Sequence, residues 1–447
     1  MLNRAGSQIL VALGTIFALE AAFLALRRLG DLKLYVVETI AIAFAAGIVY
    51  FIALYLLEHS RDSRATLWLI LAGAILFRLT LAPLLPTLSE DIYRYRWDGR
   101  IQRAGWNPYA VRPDDPRLNY LRVTGDPAGP GHDIPTIYPP LAELTFRAGM
   151  RFFPRPVAFK LPVIGADLLV VFLLAGWLRA AGARYFQLAI YAWNPLVIVE
   201  FAGSGHSDAL ALAALVAACV TIIRSKETLS TLLLAAAALL KSFPVLLFPL
   251  WLRRQGWPRT ARSWGDGFAA VALAAICAWP YRSALRELPA TMAYFASRWQ
   301  FNNSSLYSVI FRFTRSTDLA EGLGVGVAVG LACWAAWRRV EPARAALLIF
   351  GAILLFSPNV YSWYFTWLIP FLCLVPNPAW LLLSILQFLS YDVLINYQAF
   401  GTWHFRPAML WLTYGPFYAL LLWQWLRKRN TEANDSRGFV PQSDPSG

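Results

Sequence analysis

The residues best suited to chemistry are crowded into Ser89-Glu90-Asp91-Ile92-Tyr93-Arg94-Tyr95-Arg96-Trp97-Asp98-Gly99-Arg100. If Ser89 opens a helix there, Asp91, Arg94, Tyr95, Asp98 and Gln102 fall along one stripe, and Tyr93, Trp97 and Ile101 along another. A carboxylate held at a helix start can take a proton from an attacking hydroxyl. Fixed guanidinium or ammonium groups can face negative charge that grows on a phosphate leaving group. The same types also have a structural use: Glu90 and Asp91 complement the positive end of a helix, and the tyrosines with Trp97 make an interfacial aromatic belt.

Further candidates lie downstream. Asn107, His132 and Tyr138 sit in the same polar region as that segment, and the pair Tyr138-Pro139 with Pro140 reads as a rigid extended turn. His206 and Asp208 follow Gly203-Ser204-Gly205, where they either cap a helix or face a ligand. Lys241 stands inside an apolar run, where an ammonium costs about 2.5 to 3.5 kcal/mol unless it is paired or hydrated. It is either a phosphate contact or a side chain snorkelling to the interface. Tyr361 offers a ring on which a sugar face can stack, a role the membrane-belt reading also covers for Trp97 and Trp106. His132 and Asp133 with Asp91, Asp98 and His206 lack the paired spacing of a metal centre, so no metal and no other cofactor is expected.

These residues need a scaffold, and the composition points to one. The chain has 447 residues, 58% of them hydrophobic and 15% charged, with a mean hydropathy of +0.49. Apolar runs long enough for a bilayer core of about 30 Å recur from residue 8 to residue 426. The expected fold is therefore all-α: a polytopic integral membrane protein of about 13 to 14 transmembrane or re-entrant helices. The formal charge of +14 is spread over inter-helix loops and one long loop, so membrane topology accounts for it and no nucleic-acid partner is implied. Cys219, Cys277, Cys333 and Cys373 all sit in apolar runs and read as small hydrophobes. The first apolar stretch, 8–26, reads as an uncleaved helix.

Residues 1–66 read as two N-terminal transmembrane helices, 67–426 as the main membrane module, and 427–447 as a disordered cytoplasmic tail. Within the module, the insert 87–160 is too long to be a mere connection. The basic short loops around Arg179, Arg224, Arg253 to Arg262 and Arg338 read as cytoplasmic, which leaves 87–160 outside. One straight crossing over 229–252 would put two of those basic loops on opposite sides. A pair of short helices that dips in and returns, turning at Lys241-Ser242-Phe243-Pro244, removes the conflict. The basic loop with Arg27, Arg28 and Lys33 does not fit this scheme.

The runs "SEDIYRYRWDGRIQRAGWNPY", "HDIPTIYPPLAE", "WNPLVIVEFAGSGHSD", "ALLKSFPVLLFP" and "SPNVYSWYFTWLIPF" resemble those of the bacterial polytopic glycosyltransferases of the GT-C superfamily. The likeness is nearest to the polyprenol-phosphate-mannose-dependent mannosyltransferases. It implies a large extracytoplasmic loop that opens on a catalytic acid, here Asp91, with Glu90 as the close alternative. The resemblance makes His206 and Asp208 part of the donor pocket; the substrate-binding candidates as a whole are Tyr93, Arg94, Asp98, Arg100, Asn107, His132, Tyr138, His206, Asp208, Lys241 and Tyr361, of which Arg94, Arg100, His206 and Lys241 are chemically suited to face the leaving phosphate. The activity implied is an inverting transfer of a hexose, mannose in these relatives, from a polyprenyl monophosphate to an extracytoplasmic glycan or lipid acceptor. The place implied is the bacterial cytoplasmic (inner) membrane among its lipids, with the site facing the periplasm or exterior. This chain has two spans ahead of the one that feeds the loop, a departure from the family pattern. A multi-span transporter or flippase of a lipid-linked or small polar substrate is the alternative, given Glu38, Arg78, Asp167, Lys241 and Asp392 in or beside apolar runs. No inverted repeat of the transporter kind is visible.

Overall fold

The computed structural model describes residues 4–437 apart from 61, 125, 127, 128 and 299. The described residues are helical throughout, with a single isolated backbone bridge between Asn302 and Asn359. The principal helices are α1 (Arg4–Leu29), α2 (Val36–Glu58), α3 (Arg64–Leu81), α4 (Asp91–Arg103), α5 (Pro140–Phe152), α6 (Leu161–Ala180), α7 (Asp208–Ile223), α8 (Glu227–Leu240), α9 (Ala261–Ala278), α10 (Leu288–Arg298), α11 (Thr317–Arg338), α12 (Pro342–Phe356), α13 (Pro378–Leu386) and α14 (Pro407–Arg437).

Among the described residues, five helices are long and apolar enough to cross a membrane, and a sixth span arises if the pair 261–281 and 285–298, bent by 107°, counts as one. Several other apolar segments are broken into short pieces. The expected span 185–201 folds as four turns, Tyr185–Leu188, Ala189–Ala192, Pro195–Ile198 and Val199–Gly203. Pro195 cannot donate within a continuing helix, and Asn194 caps the restart by accepting from the Leu196 and Val197 amides. Helix α14 continues past residue 426 to Arg437, through the first part of the segment expected to be a disordered tail. Arg427 and Arg429 lie over the rings of Trp423 and Trp425, one helical turn back. Residues 438–447 of that expected tail lie outside the described residues.

The turn at Lys241 is where the sequence placed it. Lys241 is extended (φ −152°, ψ 135°) and ends α8. The chain then runs back through Phe243–Leu247 and Phe248–Arg254. Its far end returns to the start of α8: Trp251 donates to Ser230 at 2.7 Å and Gln255 to Thr231 at 2.6 Å. Both flanking basic loops therefore share one end of the molecule, where Arg254 also donates to the carbonyls of Arg339 and Val340. The loop with Lys33 lies at the opposite end, because the Leu32 amide donates to Thr87 and Lys33 meets Glu90 at 3.0 Å. Its mismatch with the charge rule has a local cause: Lys33 serves the site described below.

A buried ion pair lies inside the bundle. Arg78 and Asp167, both fully buried, meet at 2.6 Å, and Tyr191 donates to the same carboxylate at 2.7 Å. Arg78 also donates to the carbonyls of Ala74 and Ala192. The pair ties α3 to α6 and to the broken segment behind the site. Removing one partner strands the other charge in an apolar interior, which costs about 3 to 5 kcal/mol. Asp167→Ala should therefore lower the midpoint of thermal unfolding in detergent and the amount of protein in membranes. Arg78→Met combined with Asp167→Leu should recover most of that loss, as read by the same melting curve.

Candidate functional site

The large insert folds into a cap of two crossed helices. Helix α4 begins at Asp91 with Glu90, not Ser89, at the cap position and without a side-chain cap bond; Ser89, expected to open the helix, sits one residue earlier and accepts from the Asp91 amide at 3.2 Å. Helix α5 starts at Pro140, whose fixed φ suits a first turn. The two helices pass so closely that a Cβ on Gly99 would stand 2.3 Å from the Phe146 carbonyl oxygen. Tyr95 stacks on Phe146 with ring centres 4.6 Å apart, and Tyr138 packs edge-on against both. Burial of three rings at one crossing fixes α4 against α5.

Beneath that cap lies a cavity of about 600 Å³. Its walls include Lys33, Glu90 and Asp91 on one part and Lys241, Phe243, Tyr364 and Trp367 on another, with Tyr138, Tyr361, Trp363 and Tyr397 supplying aromatic faces. Met292, Phe295 and Arg298 of α10 line it as well, and Arg298 pairs with Asp133 on the cap. The cavity is thus walled by seven separate stretches of chain, from Lys33 to Phe405, and aromatic faces of this kind suit a sugar.

The predicted residues divide into three groups. Asp91, Glu90, His132, Tyr138, Lys241 and Tyr361 line the cavity, as does Arg94. His206 and Asp208 stand directly behind lining groups. His206 Nδ1 is 3.6 Å from Asp91 Oδ2, and Asp208 holds Lys241 at 3.2 Å while accepting from Trp367 at 2.7 Å. Tyr93, Asp98, Arg100 and Asn107 are not among the lining residues. Tyr93 is half-buried with Arg96 over its ring. Arg100 pairs with Asp126 and donates to the Leu121 carbonyl. Asn107 donates to Ser283 and to the Tyr281 carbonyl, joining the cap to the segment after α9. Trp97 and Trp106 pack within the cap, beneath Arg122 and Arg117 respectively.

Arg94 lines the cavity but spends its donors on the protein. Its Nε reaches both Asp98 oxygens at 3.0 Å, and its terminal nitrogens meet the carbonyls of Gly131 at 2.6 Å and Ile134 at 3.2 Å. Arg94 is a strut that ties the 130–134 loop to α4. Deeper in the cap, Thr136 and Gln102 each donate to Glu143, at 2.6 and 2.7 Å. Burial and the neighbouring Asp98 charge push the Glu143 carboxyl well above the usual carboxylate range.

Four residues of the site were not legible in the stripe pattern. Trp363 stacks between Tyr361 (4.4 Å) and His206 (3.9 Å). Glu200 faces the other side of His206, with Oε2 3.4 Å from Nε2. Lys33 pairs with Glu90 across 57 positions of sequence. Lys160, fully buried, donates to the carbonyls of Leu84 at 2.6 Å, Ala202 at 2.8 Å, Gly203 at 3.1 Å and Leu81 at 3.3 Å, fastening the loop ahead of His206. A lone acid in the apolar run 195–202 was the available signal for Glu200.

Cations and carboxylates around an aromatic cavity suit a ligand that carries both a phosphate and a sugar. A family model described as "Alpha-(1->6)-mannopyranosyltransferase, N-terminal domain" matches residues 6–253. That range contains every residue from Asp91 to Lys241 discussed above, and Tyr361 lies beyond it. Alpha-(1->6)-mannopyranosyltransferase A of Mycobacterium tuberculosis is 25% identical over 333 residues, covering 64% of this chain and 62% of the relative. The protein of the same name from Corynebacterium glutamicum is 26% identical over 182 residues, covering 37% of this chain and 34% of the relative. The aligned part of this chain therefore spans less than two thirds of the length of either.

If Arg94 is a strut, Arg94→Ala should free the 130–134 loop and, by leaving the buried Asp98 carboxylate without its cation, also lower the unfolding midpoint. Limited proteolysis should then cut that loop several times faster than in the wild type, whereas an unchanged cleavage rate would contradict the role.

Proposed function

The chain belongs to the alpha-(1->6)-mannopyranosyltransferase family, and from that premise we propose that it transfers a mannosyl group from a polyprenyl monophosphate to a glycan or lipid hydroxyl. The observation that carries this reading is the arrangement at the start of α4. The Asp91 carboxylate opens into an enclosed aromatic cavity with an ammonium, Lys241, on the cavity wall.

In the proposed reaction the acceptor hydroxyl attacks the anomeric carbon as its proton passes to Asp91. The bond from the anomeric carbon to the phosphate oxygen breaks, and its electron pair leaves on the lipid phosphate. Lys241 is placed to meet that growing charge. It sits 3.2 Å from Asp208 and 5.3 Å from the Tyr364 ring centre. Asp208 is itself anchored by Trp367, so the ammonium stays directed at the cavity. A direct displacement inverts the anomeric centre, and a β-linked donor then yields the α linkage in the relatives' name. Tyr361 and Tyr138 supply ring faces for the sugar, and Trp363, stacked on Tyr361 and His206, backs the first of them. No divalent ion is given a role in this reading, since the lipid monophosphate meets a fixed ammonium.

The cavity end of the molecule is proposed to face the periplasm or exterior of a bacterial inner membrane. The basic loops around Arg224, Arg254 and Arg339 collect at the other end, as cytoplasmic loops do. Such a placement admits a donor that reaches the site from within the bilayer.

With labelled polyprenyl-phosphate mannose and membranes holding equal amounts of protein, Asp91→Asn should lower transfer by about 10² to 10⁴-fold, the usual worth of a positioned base. Full activity in Asp91→Asn would move the role to Glu90 and overturn this reading. Lys241→Ala should cost about 10² to 10³-fold in transfer, as loss of one stabiliser of developing charge does. Its defect should follow donor concentration rather than acceptor concentration, and a defect confined to the acceptor would refute the placement of the phosphate.

A further inference from the structure

Glu200 lies on a π-turn, Val199–Gly203, within an apolar stretch, and its side chain is fully buried. One oxygen accepts from Ser362 at 2.9 Å and Tyr391 at 2.5 Å. The other has no hydrogen-bond partner and faces the His206 imidazole at 3.4 Å. That ring is itself buried, stacked on Trp363 and unbonded at both nitrogens, with the Asp91 carboxylate 3.6 Å from its other nitrogen. Two carboxylates thus approach opposite edges of a single imidazole in a site from which water is largely excluded. An unpaired buried carboxylate is costly, and a ring protonated on both nitrogens satisfies the two together.

The backbone is built to hold this alignment. The His206 amide donates to the Glu200 carbonyl at 3.1 Å. Gly205 adopts φ +77°, and a Cβ there would stand 2.8 Å from the Lys160 side chain and 2.9 Å from Ile92. A π-turn widens the helix by one residue and re-aims the side chains around it, which here directs Glu200 at the ring rather than along the apolar face.

We propose that Glu200 is a positioning residue for the transfer reaction, holding His206 as an imidazolium that orients the Asp91 carboxylate toward the acceptor hydroxyl. This rests on the reading of Asp91 as the base. The proton leaving the acceptor goes to Asp91, and the imidazolium keeps its two protons through the transfer. Its Nδ1–H faces one Asp91 oxygen and leaves the other for the acceptor.

The charges facing the ring come from two elements. They are Asp91 on α4 with Tyr95 beside it and Glu200 with Tyr391 behind it, while the Lys160 stem packs against Gly205 with its ammonium on four carbonyls; Asp208, two residues on, is engaged by Lys241. His206 lies in the loop 204–207, outside the helical spans. Burial opposes its charge, but the carboxylates of Asp91 and Glu200 outweigh burial and raise its pKa to about 9. The raised value means the cation is present at neutral pH and is lost as pH rises through about 9. Transfer should therefore fall along an alkaline limb near that pH.

The test is a rate profile from pH 6 to 10 with labelled polyprenyl-phosphate mannose and the full-length protein. Glu200→Gln should lower the plateau rate and move the alkaline limb down by about one pH unit or more, the usual effect of losing an adjacent opposite charge. Glu200→Asp, which keeps the charge, should restore part of the shift. It also serves as the variant of record if Glu200→Gln fails to accumulate. If Asp91→Asn is inactive but the limb stays at its wild-type pH in the Glu200 variants, Glu200 has no such role and the base reading survives. If Asp91→Asn transfers at the wild-type rate, the base reading fails and this inference fails with it.

Discussion

Charge cannot stand alone in an apolar interior, and that constraint organises this molecule. Away from the site it produces the closed pair of Arg78 with Asp167, fully buried and braced by Tyr191. At the site it produces unfinished sets. Lys241 has one carboxylate partner and two nearby rings, with the side chain still reaching the cavity. His206 has two carboxylates at ion-pair distance and no hydrogen bond to either. Incomplete pairing of this kind is expensive in a resting protein and useful where a charged ligand completes it.

The scaffold explains how such groups are held. Ring packing at the crossing of α4 and α5 fixes the direction of Asp91, and the Lys160 ammonium gathers four carbonyls from two separate segments behind it. The turn at Lys241 brings a cation to the cavity and returns the following basic loop to the end at which α8 begins. Broken helices serve the same end at Asn194-Pro195 and at the π-turn. At the first break the Asn194 side chain accepts from the freed Leu196 and Val197 amides, and at the second the π-turn carries Glu200 behind the cavity wall to His206.

Much of this was legible in the residues. The all-helical membrane fold follows from apolar runs of bilayer length, and the helix read over the α4 segment put Asp91, Arg94, Tyr95 and Asp98 on one stripe, along which Tyr95 meets Asp91 and Arg94 meets Asp98. The charge conflict across 229–252 located the turn at Lys241. What the stripe could not reveal is where a long side chain ends. Arg94 was a candidate for the substrate, yet loop carbonyls 36 to 40 positions away claim its donors. Arg100 and Asn107 are likewise taken by the cap and its neighbour. Lys33 broke the charge rule because Glu90 engages it at the opposite end of the molecule. Glu200 escaped notice because a single acid hardly alters the apolar character of its run, and only folding brings it to His206.

The central claim is that a sugar on a lipid phosphate occupies the cavity between Asp91 and Lys241. The most direct measurement is a structure of the protein in lipid nanodiscs with a non-hydrolysable polyprenyl-phosphate mannose analogue. The account predicts a phosphate oxygen within hydrogen-bond reach of Lys241, about 2.7 to 3.2 Å, and the sugar's anomeric carbon on the Asp91 side of the cavity. A ligand bound elsewhere, or one whose phosphate turns away from Lys241 with Asp91 remote from the sugar, would contradict it.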